Sequence, residues 1–407
     1  MKVRDVVVTG IGLVTPAGIG VDATWNGLLA GTPTARRDPE LAGLPTDFSC
    51  RVPDFDAARL LGGVLAARLE RFAAMAVVAA REAVAYAGLD PSTCQNERVG
   101  VVAGTATASL SPVGDVCAKM ERGQHHLVSP RFLPRTIPNM SAAEIGLDLG
   151  ARGPNLVTST ACASGATAIG TALAMLRTGM CDVIVAGGAE SMCSPVPCAA
   201  FGQMRALSRR TYDPAGASRP FDADRDGFVL AEGAGMLVLE HADHARARGA
   251  VPLAVLAGYG ASCDAHHPTA PHPEGAGAAQ ALHAAIADAG LSAPDIAHVN
   301  AHGTGTRLND AAEFRALKAV FERPPVVTAN KGALGHTIGA AGAVEAAASV
   351  LSLRHQVVPP TANLERQDPD IDLDVVTKVP RGLRMDAVAT TSFGFGGQNA
   401  VLVFTTP

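Results

Sequence analysis

The sequence predicts an α/β protein of stacked layers with largely buried sheets. Three observations carry that prediction. Short β-branched runs ending in glycine alternate with Ala-rich segments that bear a helical stripe. Hydrophobic residues make up 48% of the 407 and charged residues only 17%, which suits a large core and excludes a disordered chain. The 43 glycines supply many tight turns and close backbone contacts. Aromatics are scarce at 4%, so the core is expected to consist mainly of Ala, Val, Leu and Ile.

In chain order, residues 6–10, 99–104, 183–188 and 253–258 each read as a buried strand stopped at a turn. Leu69, Phe72, Ala73, Ala76, Val77 and Ala80 form a helical stripe closed by Gly88. In the second part, a helix over 276–289 is capped by Gly290. A strand over 296–301, a helix over 310–321 and a strand over 326–329 follow. A helix of small residues begins near Gly339, and strands over 388–392 and 400–405 close the chain. Such alternation points to layered α/β architecture. The Asp-, Pro- and Gly-rich segment 213–227 and the stretch 266–277 read as loops, and long loops in compact domains tend to be functional.

A net charge of −5 leaves no global nucleic-acid or membrane footprint. The N-terminus lacks the apolar core of a signal peptide, and no run of about 18 apolar residues occurs, so a cytoplasmic chain is expected. The eight cysteines form no CxxC pair, and a reducing compartment would keep them as thiols, mostly small buried hydrophobes.

Cys162 stands apart. It follows the apolar approach Asn155-Leu156-Val157 and precedes a small-residue helix over 163–175, which places its thiol at a strand-to-helix turn. Free amides and the macrodipole at a helix start favour a thiolate. A buried structural thiol is the other reading of the same residues. A nucleophilic cysteine needs histidine partners elsewhere in the chain. Two of the twelve histidines have suitable settings. His302 follows a strand in Ala301-His302-Gly303-Thr304-Gly305-Thr306, at the strand edge where α/β folds gather their sites. His336 lies in Lys331-Gly332-Ala333-Leu334-Gly335-His336, again between a strand and a helix. An ordinary packing imidazole is the alternative for each. His266, His267 and His272 match no structural zinc spacing, and no metal is expected.

Taken together these segments resemble the β-ketoacyl-acyl-carrier-protein (ACP) synthase family, the condensing enzymes of type II fatty acid and polyketide synthesis. The likeness spans nearly the whole chain. It begins at Val7-Val8-Thr9-Gly10-Ile11-Gly12 and continues through Thr160-Ala161-Cys162-Ala163-Ser164-Gly165. It includes Ser218-Arg219-Pro220-Phe221-Asp222, Arg225-Asp226-Gly227-Phe228 and Asn300-Ala301-His302-Gly303-Thr304. It then runs from Lys331 to Glu345 and closes at Ser392-Phe393-Gly394-Phe395-Gly396-Gly397.

The resemblance implies a thiolase-like five-layered αβαβα fold of two similar halves. Residues 1–250 would carry Cys162, and 251–407 would carry both histidines. It implies decarboxylative Claisen condensation without a bound cofactor, the substrates being carried on ACP phosphopantetheine. Cys162 would hold the acyl group, and His302 and His336 would hydrogen-bond the enolate that malonyl decarboxylation leaves. The amides of Cys162 and Phe393 would hold the acyl oxyanion, with Phe393 also a gate. Lys331 is expected to orient the His336 loop through Glu345. Thr304 and Thr306 would bind the pantetheine amides, and Phe201 would line the far end of the acyl pocket.

A thiolase is disfavoured because the closing loop, Gly396-Gly397-Gln398-Asn399, has no second cysteine. A non-catalytic chain-length factor would normally lack the nucleophile. The segments His302 to Asp310 and Val357 to Leu364 resemble ketosynthase subunits of bacterial type II polyketide or polyene systems. Asp264 to Pro271 resembles fatty acid elongating synthase II. The expected partners are ACP and either a homologous chain-length factor or a second copy of the chain.

Overall fold

The computed structural model describes residues 5–90 and 96–407; Cys94 and the first four residues lie outside that set. Ten strands form the frame: β1 (Val6–Thr15), β2 (Val99–Gly104), β3 (Asn155–Thr158), β4 (Val183–Ser191), β5 (Glu232–His241), β6 (Ala254–Cys263), β7 (His298–Asn300), β8 (Val326–Thr328), β9 (Ala387–Gly394) and β10 (Gln398–Thr405). Their spatial order is β8-β7-β9-β10-β6-β1-β5-β4-β2-β3. Reading outward from β1 gives first, fifth, fourth, second and third strand of the first set, and reading outward from β6 gives the same order for the second. The two sheets therefore share one topology, and only the short register Val7↔Val255 and Val8↔Ala254 joins them.

Helices fill the spaces on a similar plan. Between the sheets lie α3 (Ser164–Arg177) and α6 (Ala341–His355), which pack on each other. α6 is buried from Ala341 to Leu353, so its small apolar residues face protein on every side and it has no polar stripe. On the outer faces lie α1 (Arg71–Tyr86) with α2 (Met140–Leu149) in the first half, and α4 (Ala276–Asp288) with α5 (Arg307–Val320) in the second. Five layers result, with one apolar cluster at the centre and one beneath each outer helix pair. The central helices can approach closely because a Cβ on Gly165 would stand 2.8 Å from the Ala343 nitrogen, and one on Gly342 2.8 Å from the Ala166 nitrogen.

Most predicted elements appear with shifted ends. β1, β4 and β6 run beyond the glycines expected to stop them, because those glycines mark close backbone approach rather than strand ends: a Cβ on Gly10 would stand 2.1 Å from the Ala83 carbonyl oxygen and one on Gly258 2.2 Å from that of Ala285. Two of the described cysteines, Cys117 and Cys263, are exposed rather than core residues.

Candidate active site

The first half delivers Cys162 on a short turn, Ala161–Ala163, between β3 and α3. Ala161 sits in the left-handed region at φ 49°, a conformation that costs a non-glycine residue about 1–2 kcal/mol. Ser164 holds the turn: its Oγ accepts from the Thr160 amide at 2.9 Å and donates to the Ala161 carbonyl at 2.6 Å. The second half delivers its histidines from the loops after β7 and β8. The His302 amide donates to Glu313 Oε1 at 2.8 Å and to Thr391 Oγ1 at 2.9 Å, and the Gly303 amide reaches Glu313 Oε2 at 2.8 Å. The His336 backbone is clamped to a neighbouring segment, its amide on the Val229 carbonyl at 2.8 Å and its carbonyl accepting from Ala231 at 2.9 Å.

These loops bring the three predicted residues together. His336 Nε2 lies 3.1 Å from Cys162 Sγ, and the two imidazole rings meet edge to face at 5.4 Å. One ligand atom from each of Cys162, His302 and His336 lies within 4.8 Å of the others, a spacing a metal ion could use. The outer contacts of the rings argue for a different role. A metal-bound imidazole normally donates its other N–H to a carbonyl or carboxylate. Here the Ile338 amide donates to His336 Nδ1 at 3.2 Å, and Lys331 Nζ stands 3.3 Å from His302 Nδ1. Both Nδ1 atoms therefore accept, which leaves the proton of each neutral ring on Nε2. The pair is built to donate into the site.

Burial and the nearby Lys331 charge hold both histidines well below their ordinary pKa, so they stay neutral. Burial also pushes the Cys162 thiol up to about 12, against the opposing pull of Lys331 and of a hydrogen bond from the Phe395 amide. This corrects the expectation of a thiolate poised on a helix start. The sulfur sits two residues ahead of α3 and is buried, and desolvation outweighs the favourable dipoles in the resting protein.

Two further expectations are corrected. Lys331 pairs with Glu345 Oε1 at 2.5 Å as expected, but its ammonium donates to the His302 carbonyl at 2.6 Å and so holds the His302 loop rather than that of His336. The amide aimed at the Cys162 sulfur is that of Phe395, not Phe393. β9 continues to Gly394, so Phe393 is still in the ladder opposite Asn399, and the turn facing the cysteine begins two residues later than expected. The Phe393 ring instead meets His302 at 5.8 Å. Glu313, Thr391 and Ser218, whose Oγ donates to the Lys331 carbonyl at 2.5 Å, were not singled out from the sequence. Their contacts join segments that only the fold brings together.

A cavity of about 420 Å³ leads from the surface to this cluster. Thr304 and Thr306 line it and share a hydroxyl hydrogen bond of 2.9 Å, and Thr306 also caps α5 through the Asn309 amide. Phe201 lines it as well, with its ring 5.4 Å from Phe228 and 6.1 Å from Phe395. Phe395 thus stands between Phe201 and the cysteine.

Comparison with known proteins agrees with this arrangement. Residues 3–245 match the model of the beta-ketoacyl synthase N-terminal domain, and residues 253–365 that of the C-terminal domain. A 3-oxoacyl-[acyl-carrier-protein] synthase 2 from Synechocystis is 40% identical over 99% of this chain and 98% of its own length. The solved ishigamide ketosynthase/chain length factor superposes with a TM-score of 0.92 at 37% identity, covering 99% of both chains. A type II PKS acyl-carrier protein in complex with its ketosynthase bound to the hexaketide gives a TM-score of 0.91 at 30% identity over the full length of both chains. The chain belongs to the beta-ketoacyl synthase family.

Proposed function

We propose that the protein condenses an acyl group held on Cys162 with malonyl-ACP, as the catalytic ketosynthase subunit of a bacterial type II polyketide or polyene system. The observation that carries the chemistry is the convergence of one thiol and two Nε2–H donors at the end of a single cavity. Cys162 attacks the acyl thioester of the carrier, and its proton leaves with the released pantetheine thiol. The amides of Cys162 and Phe395 face the oxyanion of that step. Malonyl-ACP then loses CO2, and its enolate oxygen is held by the Nε2–H groups of His302 and His336. The carbanion attacks the acyl carbonyl and expels the Cys162 thiolate. Lys331 and Glu345 position His302, and Thr304 and Thr306 offer hydroxyls to the pantetheine arm. Phe201 and Phe395 bound the acyl pocket, and Gly396 and Gly397, at φ 80° and 71°, allow the Phe395 loop two positions. The Phe393 ring buttresses His302.

We divide the chain into halves at 250 and 251, with the thiol on one and the donors on the other. No bound cofactor or metal enters the scheme. We assign the protein to the cytoplasm; no described helix is long and apolar enough to cross a membrane. The polyketide assignment draws on the segments His302 to Asp310 and Val357 to Leu364 and on the ketosynthase and chain-length-factor relatives. Elongation of fatty acids by a homodimer is the second reading, favoured by the identity to 3-oxoacyl-[acyl-carrier-protein] synthase 2.

The histidine roles are tested with His302→Ala and His336→Ala, reading self-acylation and malonyl-ACP decarboxylation separately. Each variant should lose decarboxylation by about 10²–10³-fold while keeping measurable acylation. Near-normal decarboxylation in both would remove the histidines from the mechanism.

A further inference from the structure

We propose that Glu190 is a positioning residue for His336: its carboxylate holds the strained turn whose amide keeps the His336 proton on Nε2. The proposal rests on the donor role given to His336 above and names a group behind the cavity wall that enforces it.

Glu190 lies near the end of β4, opposite Gly233 of β5, and is fully buried. Among the described residues no cation pairs with it. A carboxylate in that setting needs donors in place of water. Four converge on it. Thr105 Oγ1 donates to Oε1 at 3.1 Å and the Ala106 amide to Oε2 at 2.6 Å, and the amides of Thr107 and Gly339 complete the set. Thr105 Oγ1 in turn accepts from the Ala108 amide at 3.2 Å. Every partner therefore presents a hydrogen, and the site is shaped for the ionised carboxylate.

The Gly339 amide leads back to the histidine. Gly339 is the middle residue of the turn Ile338–Ala340, which separates His336 from α6. Ile338 sits in the left-handed region at φ 49°, where a β-branched residue is an outlier. Such a conformation persists only where its surroundings over-determine it. Here it aims the Ile338 amide at His336 Nδ1, 3.2 Å away, and Glu190 holds the next amide along. The contact is tight: a Cβ on Gly339 would stand 2.6 Å from Glu190 Oε2 and 2.5 Å from the Ala106 nitrogen. Ala106 and Ile338 both pack in the apolar cluster that contains Cys162. The carboxylate thus ties the loop after β2 to the turn before α6, across the boundary between the two halves.

Glutamine at this position would keep the shape but turn a hydrogen-bearing nitrogen toward amide donors, which leaves buried groups unpaired. Glu190→Gln should therefore release the turn. Gly339→Ala disturbs the same contact from the other side, by placing a methyl group between turn and carboxylate.

The tautomer is read by nitrogen-15 NMR of the histidine-labelled full chain, with His336 assigned by its loss in His336→Ala. Spectra are recorded well above the pKa of about 7 to which burial raises Glu190. The wild type should show an unprotonated, hydrogen-bonded Nδ1 and a protonated Nε2. A protonated Nδ1 in the wild type overturns the proposal without any variant. In Glu190→Gln the Nδ1 resonance should move as the Ile338 amide leaves it, and in Gly339→Ala it should move in the same direction. An unchanged Nδ1 resonance in either folded variant overturns the brace.

Kinetics separate positioning from packing. Glu190→Gln should lower malonyl-ACP decarboxylation by about ten- to a hundredfold, the scale of a misplaced reacting group, and self-acylation by much less. In the His336→Ala background the same substitution should cost nothing further, because the donor it positions is already gone. Equal loss of both activities, or the full loss repeated in that background, would make Glu190 a packing residue and overturn the proposal. The tautomer belongs to the resting protein and needs no turnover. Near-normal decarboxylation in His336→Ala beside a shifted Nδ1 in Glu190→Gln would thus count against the condensation reading and leave the brace standing.

Discussion

At the scale of single residues, the site trades nucleophilicity at rest for donors that are fixed in advance. Burial and the Lys331 charge keep both imidazoles neutral, and the Ile338 amide and Lys331 occupy the opposite ring nitrogens, which keeps their protons on Nε2. The same burial pushes the Cys162 thiol up to about 12. A thiol in that state has a thiolate fraction that climbs with pH throughout the neutral range. Alkylation of Cys162 by iodoacetamide should therefore accelerate about tenfold per pH unit from 7 to 10. A plateau below pH 8 would mean that the helix start, and not burial, sets the resting state.

At the scale of elements, the strands carry unequal loads. β7 is only three residues long, yet it leads directly to His302 and is buried on both sides. Its first residue, His298, is fully buried, its ring nitrogens have no hydrogen-bond partner among the described residues, and desolvation lowers its pKa to about 3. The unfolded chain would titrate near the ordinary value of about 6.5. Between these values the unfolded state binds the extra proton, so His298 costs stability as pH falls below about 6.5. Glu190 and Glu345, raised to about 7 by burial, act in the opposite direction, so the comparison must be made at His298 itself. His298→Leu removes no hydrogen bond. Denaturant melts from pH 6.5 to 4.5 should show the variant gaining on the wild type by up to about 1.4 kcal/mol per pH unit. A constant difference across that range would contradict the account.

The elements also show what the sequence makes legible. Apolar runs and helical stripes showed most of the frame, because burial on both faces demands them, but β5 and α2 were not singled out. The ends were less legible: the extra two residues of β9 moved the cysteine-facing amide from Phe393 to Phe395. Cys162, His302 and His336 could be chosen from their glycine-flanked turns. Glu345 could be named as a partner of Lys331, but the contact to His302 could not, since it spans 29 residues and depends on how two loops meet.

At the scale of the whole molecule, two sheets of one topology meet so that each contributes what the other lacks. The far end of the first sheet is β3, paired only with β2, and Leu156 on it is 45% exposed. Met120, Leu127 and Leu133, in the segment before β3, are also exposed, and such apolar surface beside an open strand edge suits a second ketosynthase-like chain. Leu156→Lys should reduce the mass in light scattering from dimer to monomer with little change in the melting of the protomer. A dimer unaffected by that charge would put the interface elsewhere.

The central claim is that the acyl chain passes through Cys162. Incubation with acyl-ACP, proteolysis and mass spectrometry test it most directly. The account predicts one acyl mass on the peptide that contains Cys162 and none in Cys162→Ala. Acylation at another residue, with Cys162 left free, would contradict it.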